Sequence, residues 1–477
     1  MPLVVLVILA GLLGLATVRA SEPAPAPPAS TELPLSQTDL TCPSVGAAKL
    51  PASKAGIGVT SHAGGKTGGD GGVEVTPLPD GKADKPEPAP AAGVWSVVQQ
   101  GDDAAQPVLV SATGSMATGA AAFAATRADD EAGGGLAVTS CPPPAREAWF
   151  LGAGSTVSHS STLLLSNPGV TDAIVDVSLL TSEGLKEPVS TTGLAIESHD
   201  VERLSLSDFA AGEGEAVIQV AASQGQVTAQ VLDYWSATLA PAGTEWIPTA
   251  QPPDTTLTVT PAIEDAGRQD LILGNPGDRT ATVDIQVIGP NGTFPVKDFE
   301  SASVDEGGVD VVPIPKSVGG ETVALQLEAD QPIVASVRST SGDSPADIAY
   351  GTSAPEISDP AIVPVDLTSI DPSGVSLAVT SAEPDAEATL SVEVKAEDGS
   401  SLGERTLTVP AGRTVSWRTG NRADLGTNAS KVAYLVVTPR SGTVRAAAVY
   451  ESDDAWSSLP LQSAPTYAVA PGVYPLD

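Results

Sequence analysis

The three histidines of the chain are its first candidates for acid–base chemistry, since each lies directly beside a serine. They are His62, His159 and His199, and the last is also followed by Asp200. A serine nucleophile needs its histidine and aspartate at a defined position in space, so adjacency along the chain does not support a triad. The Gly-x-Ser-x-Gly turn of many serine hydrolases is also missing from the sequence. We therefore interpret the three histidines as solvated loop residues and expect no catalytic residue.

A second candidate is the string Gly64-Gly65-Lys66-Thr67, which resembles the end of a phosphate-binding loop. Such a loop requires a further glycine five residues before its second glycine, where this chain has Thr60. It also requires a helix directly afterwards, and the glycine-rich residues 68–72 are a poor start for one. The string predicts a flexible loop and no nucleotide cofactor.

Carboxylates are abundant, and several are clustered, as at residues 129–131, 305–306 and 383–385. None of these clusters has the Asp-x-Asp-x-Asp-Gly spacing of a calcium loop. Two carboxylates on distant strands could also hydrolyse a glycosidic bond, but the sequence singles out no pair. We interpret the clusters as solvated acidic surface and expect no metal ion.

Three tryptophans, Trp149, Trp235 and Trp246, are candidates for glycan binding, because an exposed indole ring can stack on a sugar. The alternative is a packing role, in which Trp149 and Trp235 fill cores or seal junctions between neighbouring modules. The sequence leaves both interpretations open.

The only two cysteines, Cys42 and Cys141, bracket one segment of the chain. In an oxidising compartment they should form a disulfide, which would stabilise the fold by roughly 4 to 5 kcal/mol in the chain-entropy estimate. The alternatives are two inert thiols or half of a metal site, and neither cysteine has a further ligand at the usual spacing. We expect the disulfide.

Composition restricts the partners. The chain has 23 lysine and arginine residues against 58 aspartate and glutamate residues, a formal net charge of −35. Such a surface repels DNA and RNA, so nucleic acids are excluded as partners. Hydrophobic residues make up 41% of the chain but aromatic residues only 4%, so the cores must consist mainly of Val, Leu, Ile and Ala. This composition favours strands.

The N-terminus has the features of an export signal. Leu3 to Val18 is an uninterrupted apolar run, and Val18-Arg19-Ala20 offers a small-x-small cleavage pattern. No basic residue precedes the run, so a cleaved signal and an uncleaved membrane anchor both remain open. The following Pro- and Ala-rich residues predict an extended stalk.

One sequence cassette recurs along the chain. Leu-Leu-Leu-Ser-Asn-Pro-Gly at 163–169 returns 108 residues later as Leu-Ile-Leu-Gly-Asn-Pro-Gly at 271–277. Shorter matches begin at Leu377 and Ile57, each 106 residues from a neighbouring copy. A self-similarity at one fixed spacing indicates repeated structural units, here four of them.

Each of the last three copies is followed by alternating apolar and polar residues. The apolar positions are Ala173, Val175, Val177 and Leu179, then Ala281, Val283, Ile285 and Val287, and finally Ala388, Leu390, Val392 and Val394. A period of two predicts a half-buried strand. A glycine turn then follows at Glu183-Gly184, Asn291-Gly292 and Asp398-Gly399, with Asp80-Gly81 in the first copy. Such pairs predict hairpins.

About seven or eight strands per module predict an all-β fold of tandem antiparallel β-sandwich modules of immunoglobulin-like size. A β-propeller is the alternative, but its repeat is only about 40 to 50 residues. The predicted organisation is a signal peptide or signal anchor helix at 1–20, a Pro/Ala-rich stalk at 21–40, and β modules at 41–145, 146–250, 251–357 and 358–477.

Three strings together resemble a known family. They are Cys141-Pro142-Pro143-Pro144, Trp149-Phe150-Leu151-Gly152 and the cassette at 163–169. The chain is similar, from Cys42 to its C-terminus, to an uncharacterised family of exported actinobacterial proteins, catalogued as a domain of unknown function. The resemblance implies an envelope location and no established activity.

These observations predict a non-enzymatic scaffold or binding protein of the cell envelope, whose repeats extend from the membrane into the wall. We expect it on the extracellular side of the cytoplasmic membrane, anchored or secreted, with membrane contact through the N-terminal segment alone. The expected partner is an envelope glycan or another envelope protein. The alternatives are an enzyme that modifies envelope polysaccharide and a freely secreted adhesin.

Overall fold

The computed structural model confirms an all-β protein with antiparallel sheets that pack in a sandwich-like manner. It describes residues 31–43, 52–61, 71–79, 93–99, 106–128, 135–237, 240–318, 320–341, 347–365, 367, 374–381, 383, 385–419, 430–452 and 455–470. The predicted signal segment, residues 62–70, the predicted turn at Asp80-Gly81 and the acidic residues 129–131 lie outside these ranges. The described residues include no helix that could span a membrane, since the two helices among them have three and four residues.

The described chain divides into two compact units. One contains β1 (Thr31–Pro34) paired antiparallel with the last strand of the chain, Tyr467–Ala470. The other is Leu35–Thr466, which contains all remaining strands. Strands therefore already occur at Thr31–Pro34 and from Gln37 onward, within the stretch that was predicted as a stalk.

The first repeat contains two small sheets. Its strands are β2 (Gln37–Cys42), β3 (Ala52–Ser61), β4 (Gly71–Pro77), β5 (Ser96–Gln99), β6 (Val108–Gly114), β7 (Ala120–Ala128) and β8 (Gly135–Ser140). They are ordered β2-β6-β4 in one sheet and β5-β3-β7-β8 in the other. The predicted disulfide between Cys42 and Cys141 is present, so it joins the end of β2 to the residue after β8.

The second repeat contains two five-stranded sheets. Its elements are β9 (Glu147–Ala153), β10 (Ser155–Thr156), β11 (His159–Ser166), β12 (Ala173–Thr181), β13 (Gly184–Lys186), a 3₁₀ turn (Val189–Thr191), β14 (Leu194–Ile196), β15 (Val201–Ser205), α1 (Leu206–Phe209), β16 (Ala216–Gln224), β17 (Thr228–Ala237) and β18 (Ala240–Ile247). One sheet runs β10-β11-β17-β18 with β15 on β11, and the other runs β13-β12-β16-β9 with β14 on β12.

In the third repeat a single long strand serves both layers. The strands are β19 (Asp254–Ala262), β20 (Gln269–Gly274), β21 (Ala281–Gly289), β22 (Gly292–Phe294), β23 (Ser301–Val304), β24 (Val309–Pro313), β25 (Val323–Thr340) and β26 (Ile348–Ser353). The first part of β25 pairs with β21, and its last part pairs with β20. The two layers are thereby linked into one eight-stranded hydrogen-bonded sheet.

The fourth repeat has two four-stranded sheets. Its strands are β27 (Ala361–Pro364), β28 (Val375–Ser381), β29 (Ala388–Ala396), β30 (Ser401–Val409), β31 (Thr414–Arg418), β32 (Val432–Ser441), β33 (Val444–Ser452) and β34 (Ala455–Pro460), and the chain's last strand is β35 (Tyr467–Ala470). The sheet orders are β27-β32-β29-β30 and β31-β28-β33-β34. The exact boundaries between the four repeats stay a prediction.

The alternating strands are confirmed as β12, β21 and β29. In β21 the apolar residues Ala281, Val283, Ile285 and Val287 are buried, while the polar residues between them are exposed. The three glycine turns are also confirmed, because Gly184, Gly292 and Gly399 all have positive φ angles next to paired strands. The two-residue period therefore identifies the core face of these three strands correctly.

The recurring Asn-Pro-Gly string has a structural explanation at its asparagine. Asn275 is fully buried, and its side-chain amide donates to the carbonyl oxygens of Arg279 and Val304. Its side-chain oxygen accepts the N–H of Gly277 at 2.9 Å. Asn167 makes the equivalent bonds in the second repeat. The buried amide thus satisfies loop backbone groups that would otherwise lack partners.

The first and fourth repeats place a serine at this position. Ser61 donates to the carbonyl oxygens of Met116 and Thr118, and Ser381 donates to those of Glu383 and Ala386. Both serines are buried. The shorter side chain retains the contact with loop carbonyls, which explains why the cassette is only partly recognisable in these two copies.

The last strands of the four repeats meet at one place in the Leu35–Thr466 unit. Strand β8 contacts β18 and β34, and β26 also contacts β18 and β34, so the four strands form a closed cycle. We call this the four-strand junction. A proline lies at or within two residues of the end of each of these strands. The four prolines, in chain order, are Pro142, Pro248, Pro355 and Pro460. The first and last repeats are therefore neighbours.

The expectation of repeats that extend outward one after another is wrong for this unit. Core clusters cross the repeat boundaries, since Trp95 and Phe123 pack with residues of the fourth repeat. Ile272 and Tyr350 likewise pack with the core of the second. Apolar edges of adjacent repeats are buried against each other, which favours a compact unit over a linear array.

We expect Asn275→Ala to lower the free energy of unfolding by about 1 to 3 kcal/mol, because buried carbonyl groups lose their donor. Urea unfolding followed by circular dichroism measures this change. The matched control is Asn291→Ala, since Asn291 is exposed in a hairpin turn. Equal stability of the two variants would contradict the proposed role of the buried amide.

Candidate functional site

The most concentrated set of polar side chains in the described interior surrounds Asp233. Strand β11 supplies His159 and Ser161, β17 supplies Asp233 and Trp235, and β26 supplies Tyr350. The antiparallel register places His159 opposite Trp235 and Ser161 opposite Asp233. Residues two apart on a strand share a face, so all four side chains project to the same side. We call these five residues the Asp233 cluster.

Asp233 is fully buried and accepts four side-chain hydrogen bonds. Its Oδ1 accepts from His159 Nε2 at 2.9 Å and from Ser161 Oγ at 2.6 Å. Its Oδ2 accepts from Trp235 Nε1 at 2.8 Å and from Tyr350 Oη at 2.7 Å. Four donors occupy the lone pairs of the carboxylate, so the ionised form is the one that this environment stabilises.

His159 carries a proton on both ring nitrogens. Its Nδ1 lies 3.0 Å from the carbonyl oxygen of Gly214, which can only accept, and its Nε2 faces the Asp233 carboxylate. Burial lowers the pKa of His159, but the charge of Asp233 and the hydrogen bond to it outweigh burial, and the pKa is raised. Burial alone would raise the pKa of Asp233, yet the charge of His159 and the bonds from His159, Ser161 and Tyr350 lower it. The two residues form a buried ion pair.

This arrangement differs from a catalytic triad in the position of its proton acceptor. In a triad the serine donates to histidine, whereas Ser161 Oγ donates to Asp233 and accepts the N–H of Gly154 at 2.8 Å. A doubly protonated His159 cannot take a proton from serine. The cluster is therefore suited to holding strands together and unsuited to nucleophilic catalysis.

A second group of charges extends from the cluster into the third repeat. The guanidinium of Arg338 lies 4.4 Å from the centre of the Trp235 ring, and the His159 ring stacks on Trp235 with the ring centres 3.9 Å apart. Arg338 also pairs with Glu215 of the second repeat and with Asp270, which lies 3.2 Å away. These contacts tie the two repeats together through a largely desolvated ion network.

The protonation of this network follows from burial and pairing. Burial raises the pKa of Glu215, although the charges of Arg338 and His159 partly oppose the rise. Burial would lower the pKa of Arg338, but the neighbouring Tyr350 and Glu215 raise it. Burial, supported by the charge of Asp233, also raises the pKa of Tyr350 well above its ordinary value. Arg338 therefore stays charged, and Tyr350 stays a neutral donor.

The surface offers a different kind of candidate, an apolar groove of about 390 Å³ beside the disulfide. Its walls come from β2, β7, the Pro142–Pro144 string and both the first strand and the end of the fourth repeat, and include Leu40, Phe123, Ile362, Pro460 and Pro465. Asp39 is the one charged residue among its lining residues. We call this the proline-lined groove.

The outer edge of β2 borders this groove. The register of β2 with β6 leaves the backbone groups of alternate residues pointing away from β6, and Thr41 N–H uses this direction to donate to Pro142. An extended peptide can pair with such an edge while its side chains enter apolar pockets. The groove is thus a candidate binding surface.

The tryptophans and histidines that were singled out in the sequence have different environments in the structure. Trp149 is 2% exposed and Trp246 is 3% exposed, so burial favours the packing role for these two rings. Trp235 is half-buried within the Asp233 cluster. The interpretation of His159 as a solvated loop residue is wrong, because it lies on β11 and is 2% exposed. His199 does lie in a loop, with a positive φ angle.

Asp233, Ser161, Tyr350 and Arg338 were not predicted from the sequence as site residues. One signal was available in the spacing, since His159 and Ser161 are two residues apart, as are Asp233 and Trp235, which is the spacing of side chains on one face of a strand. Only the cross-strand register joins the two pairs. Among the described residues no group of three or more His, Cys, Asp or Glu side chains is arranged to hold a metal ion.

We expect Asp233→Asn to lower the free energy of unfolding by about 3 to 5 kcal/mol, because it leaves a buried imidazolium without its counter-ion. Ser161→Ala is the matched control, which removes one hydrogen bond and no charge, and should lose about 1 kcal/mol. Urea titrations measure both. Similar losses in the two variants would argue against the ion pair.

The pH dependence has a defined sign. The contribution of His159 to the free energy of unfolding is lost as pH rises through the raised pKa of His159. The contribution of Asp233 is lost as pH falls towards the lowered pKa of Asp233. The stability difference between wild type and Asp233→Asn should therefore be largest between these two limits. A difference that is constant from about pH 3 to pH 10 would contradict this assignment.

Comparison with known proteins identifies the family of the chain. No curated protein matches the chain significantly. A sequence profile for a family of unknown function (DUF5719) matches residues 96–419, which include the Asp233 cluster and most of the repeats. Because this match covers more than half of the sequence, the chain belongs to that family of unknown function.

Proposed function

We propose that this protein is a non-enzymatic scaffold or binding protein of the cell envelope. It is exported to the outer side of the cytoplasmic membrane and tethered there by its N-terminal segment, residues 1–20. It engages another envelope protein, with a wall glycan as the alternative ligand. Actinobacterial origin, suggested by the sequence resemblance, is part of this proposal.

The Asp233 cluster is the observation that carries the non-enzymatic part. His159, Ser161 and Asp233 have the residue types of a hydrolase, but their donors and acceptors are consumed by one another and by the backbone. The side chains are at most 2% exposed. Such a site resembles a structural ion pair between strands more than a site that admits substrate.

The disulfide supports the extracytoplasmic location. Cys42 and Cys141 lie close enough to bond, and no free cysteine occurs among the described residues. Disulfides persist in oxidising compartments and are rare in the cytosol. The apolar leader and the strongly acidic composition agree with export but do not by themselves require it.

The proline-lined groove favours a protein partner over a glycan. Sugar binding uses exposed aromatic faces and many hydrogen-bonding groups, whereas this groove is mainly apolar and borders a strand edge. The burial of Trp149 and Trp246 removes two of the three rings that would have favoured a glycan. An extended segment of a partner protein fits these features better.

The location is tested by fractionating cells that produce the full-length chain and alkylating their cysteines before lysis. We expect the protein in the membrane and wall fraction, with both cysteines resistant to alkylation until a reductant is added. Full-length protein in the cytosol with alkylated cysteines would refute the proposal.

Binding is tested by crosslinking on envelope preparations, with a groove variant and a matched control. The double variant Pro143→Arg and Gln462→Arg places two long cations at exposed positions that line the groove. The control, Val189→Arg, changes a side chain that is 92% exposed and lies outside the groove. We expect the partner to be lost only with the groove variant, while cleavage of wall polysaccharide by the purified protein would instead favour an enzyme.

A further inference from the structure

Two carboxyl groups are completely buried at the four-strand junction. Glu245 lies on β18, and Asp347 directly precedes β26, and both side chains are 0% exposed. An uncompensated carboxylate in such a position is strongly unfavourable, so either the charge is solvated by the protein or a proton neutralises it. The surroundings of the two groups differ in a way that distinguishes these outcomes.

Asp347 is solvated by backbone N–H groups from all four repeats. Its Oδ2 accepts from Leu136 at 3.0 Å and from Trp456 at 2.8 Å, which belong to the first and fourth repeats. Its Oδ1 accepts from Ile348 of the third repeat at 2.9 Å, and Thr244 of the second repeat also donates its N–H. The four donors match the four lone pairs, which leaves no room for a proton.

Glu245 has weaker support. Its Oε1 accepts the N–H of Trp246 at 2.9 Å, whereas its Oε2 lies within hydrogen-bond distance and angle of no donor among the described residues. The hydroxyl of Ser457 and the N–H of Ser458, both on β34, also interact favourably with the carboxylate and partly oppose the rise in its pKa. Oε2 is therefore the position in this pair where a proton is accommodated.

Comparison of the repeats shows that an acid is not required at this point. Alignment on the prolines that follow the four strands places Thr139, Thr352 and Ser457 at the position of Glu245. All three are neutral hydroxyl residues, and Ser457 Oγ accepts the N–H of Val138 at 2.9 Å. The second repeat alone has a titratable group at this aligned position.

We propose that Glu245 is protonated and Asp347 ionised in the folded protein, and that the two carboxyl groups act as a pH-sensitive clasp that keeps the four repeats together. Asp347 stays ionised and binds one N–H from each repeat. Loss of the proton from Glu245 places two negative charges in one buried site, and their repulsion weakens the junction.

The four strands of the junction carry no cation that could compensate this charge. Strands β8 and β34 carry no titratable residue, and β18 carries only Glu245. Strand β26 carries Tyr350, whose hydroxyl donates to Asp233. The clasp therefore responds to its own two carboxyl groups.

The direction of the response follows from the pKa of Glu245. Burial, supported by the charge of Asp347, raises this pKa well above 4.5, its ordinary value. Burial also raises the pKa of Asp347, although the hydrogen bonds from its four N–H donors oppose the rise. Because the two carboxyl groups titrate as a coupled pair and Asp347 has more donors, we assign the retained proton to Glu245. Because the folded state binds the proton more tightly than the unfolded chain, stability falls as pH rises from the ordinary pKa through the raised one.

The test compares Glu245→Gln and Asp347→Asn in the full-length chain. For wild type, the folding equilibrium constant should fall up to about tenfold per pH unit over the range between the two pKa values. Glu245→Gln mimics the protonated acid and should remove the one-proton contribution of Glu245 to this pH dependence. Asp347→Asn should be destabilised at every pH, since an amide nitrogen cannot accept the N–H groups. The matched control is Glu306→Gln, an exposed acid outside the junction.

An infrared measurement tests the proton assignment without relying on stability. Wild type should show the carbonyl stretch of a protonated carboxyl group near neutral pH, and this band should disappear in Glu245→Gln. The proposal is overturned if the band survives in Glu245→Gln, if that variant keeps the wild-type pH slope, or if Asp347→Asn is as stable as Glu245→Gln.

Discussion

The buried carboxylate is the feature on which this structure depends most. A charge inside a β-protein is tolerated only when hydrogen-bond donors replace the water that it loses. Asp233 obtains four side-chain donors, three from the second repeat and one from the third. Asp347 obtains backbone donors from all four repeats. In both cases the hydrogen bonds to one charged group join parts of the chain that lie far apart in sequence.

This principle also explains why the residues of a hydrolase are present without its geometry. Aspartate at the centre of a cluster collects donors, whereas catalysis needs a histidine at the centre with a free nitrogen. The difference between the two arrangements is which side chain occupies the middle position. Here Asp233 occupies it, and the flanking Trp235 and Arg338 extend the network across two repeats.

Much of the fold could be predicted from local patterns. Alternation at Ala281 to Val287, the turn at Asn291-Gly292 and the pairing of Cys42 with Cys141 depend on side-chain period, backbone conformation and oxidation, which are all visible in sequence. The role of His159 was not visible, because it depends on Asp233, 74 residues away, and on Tyr350 of another repeat. A lone histidine between serines carries no sign of such distant partners.

The contact of β8 with β34 has a consequence for the evolution of the chain. In an open solenoid, copies can be added or removed at the ends because each unit contacts only its neighbours. A circular arrangement has no free end at which to grow, so duplication of one unit would break the closing contact. The number of copies is thereby fixed by closure geometry, in the way that a rotationally symmetric assembly fixes its number of subunits.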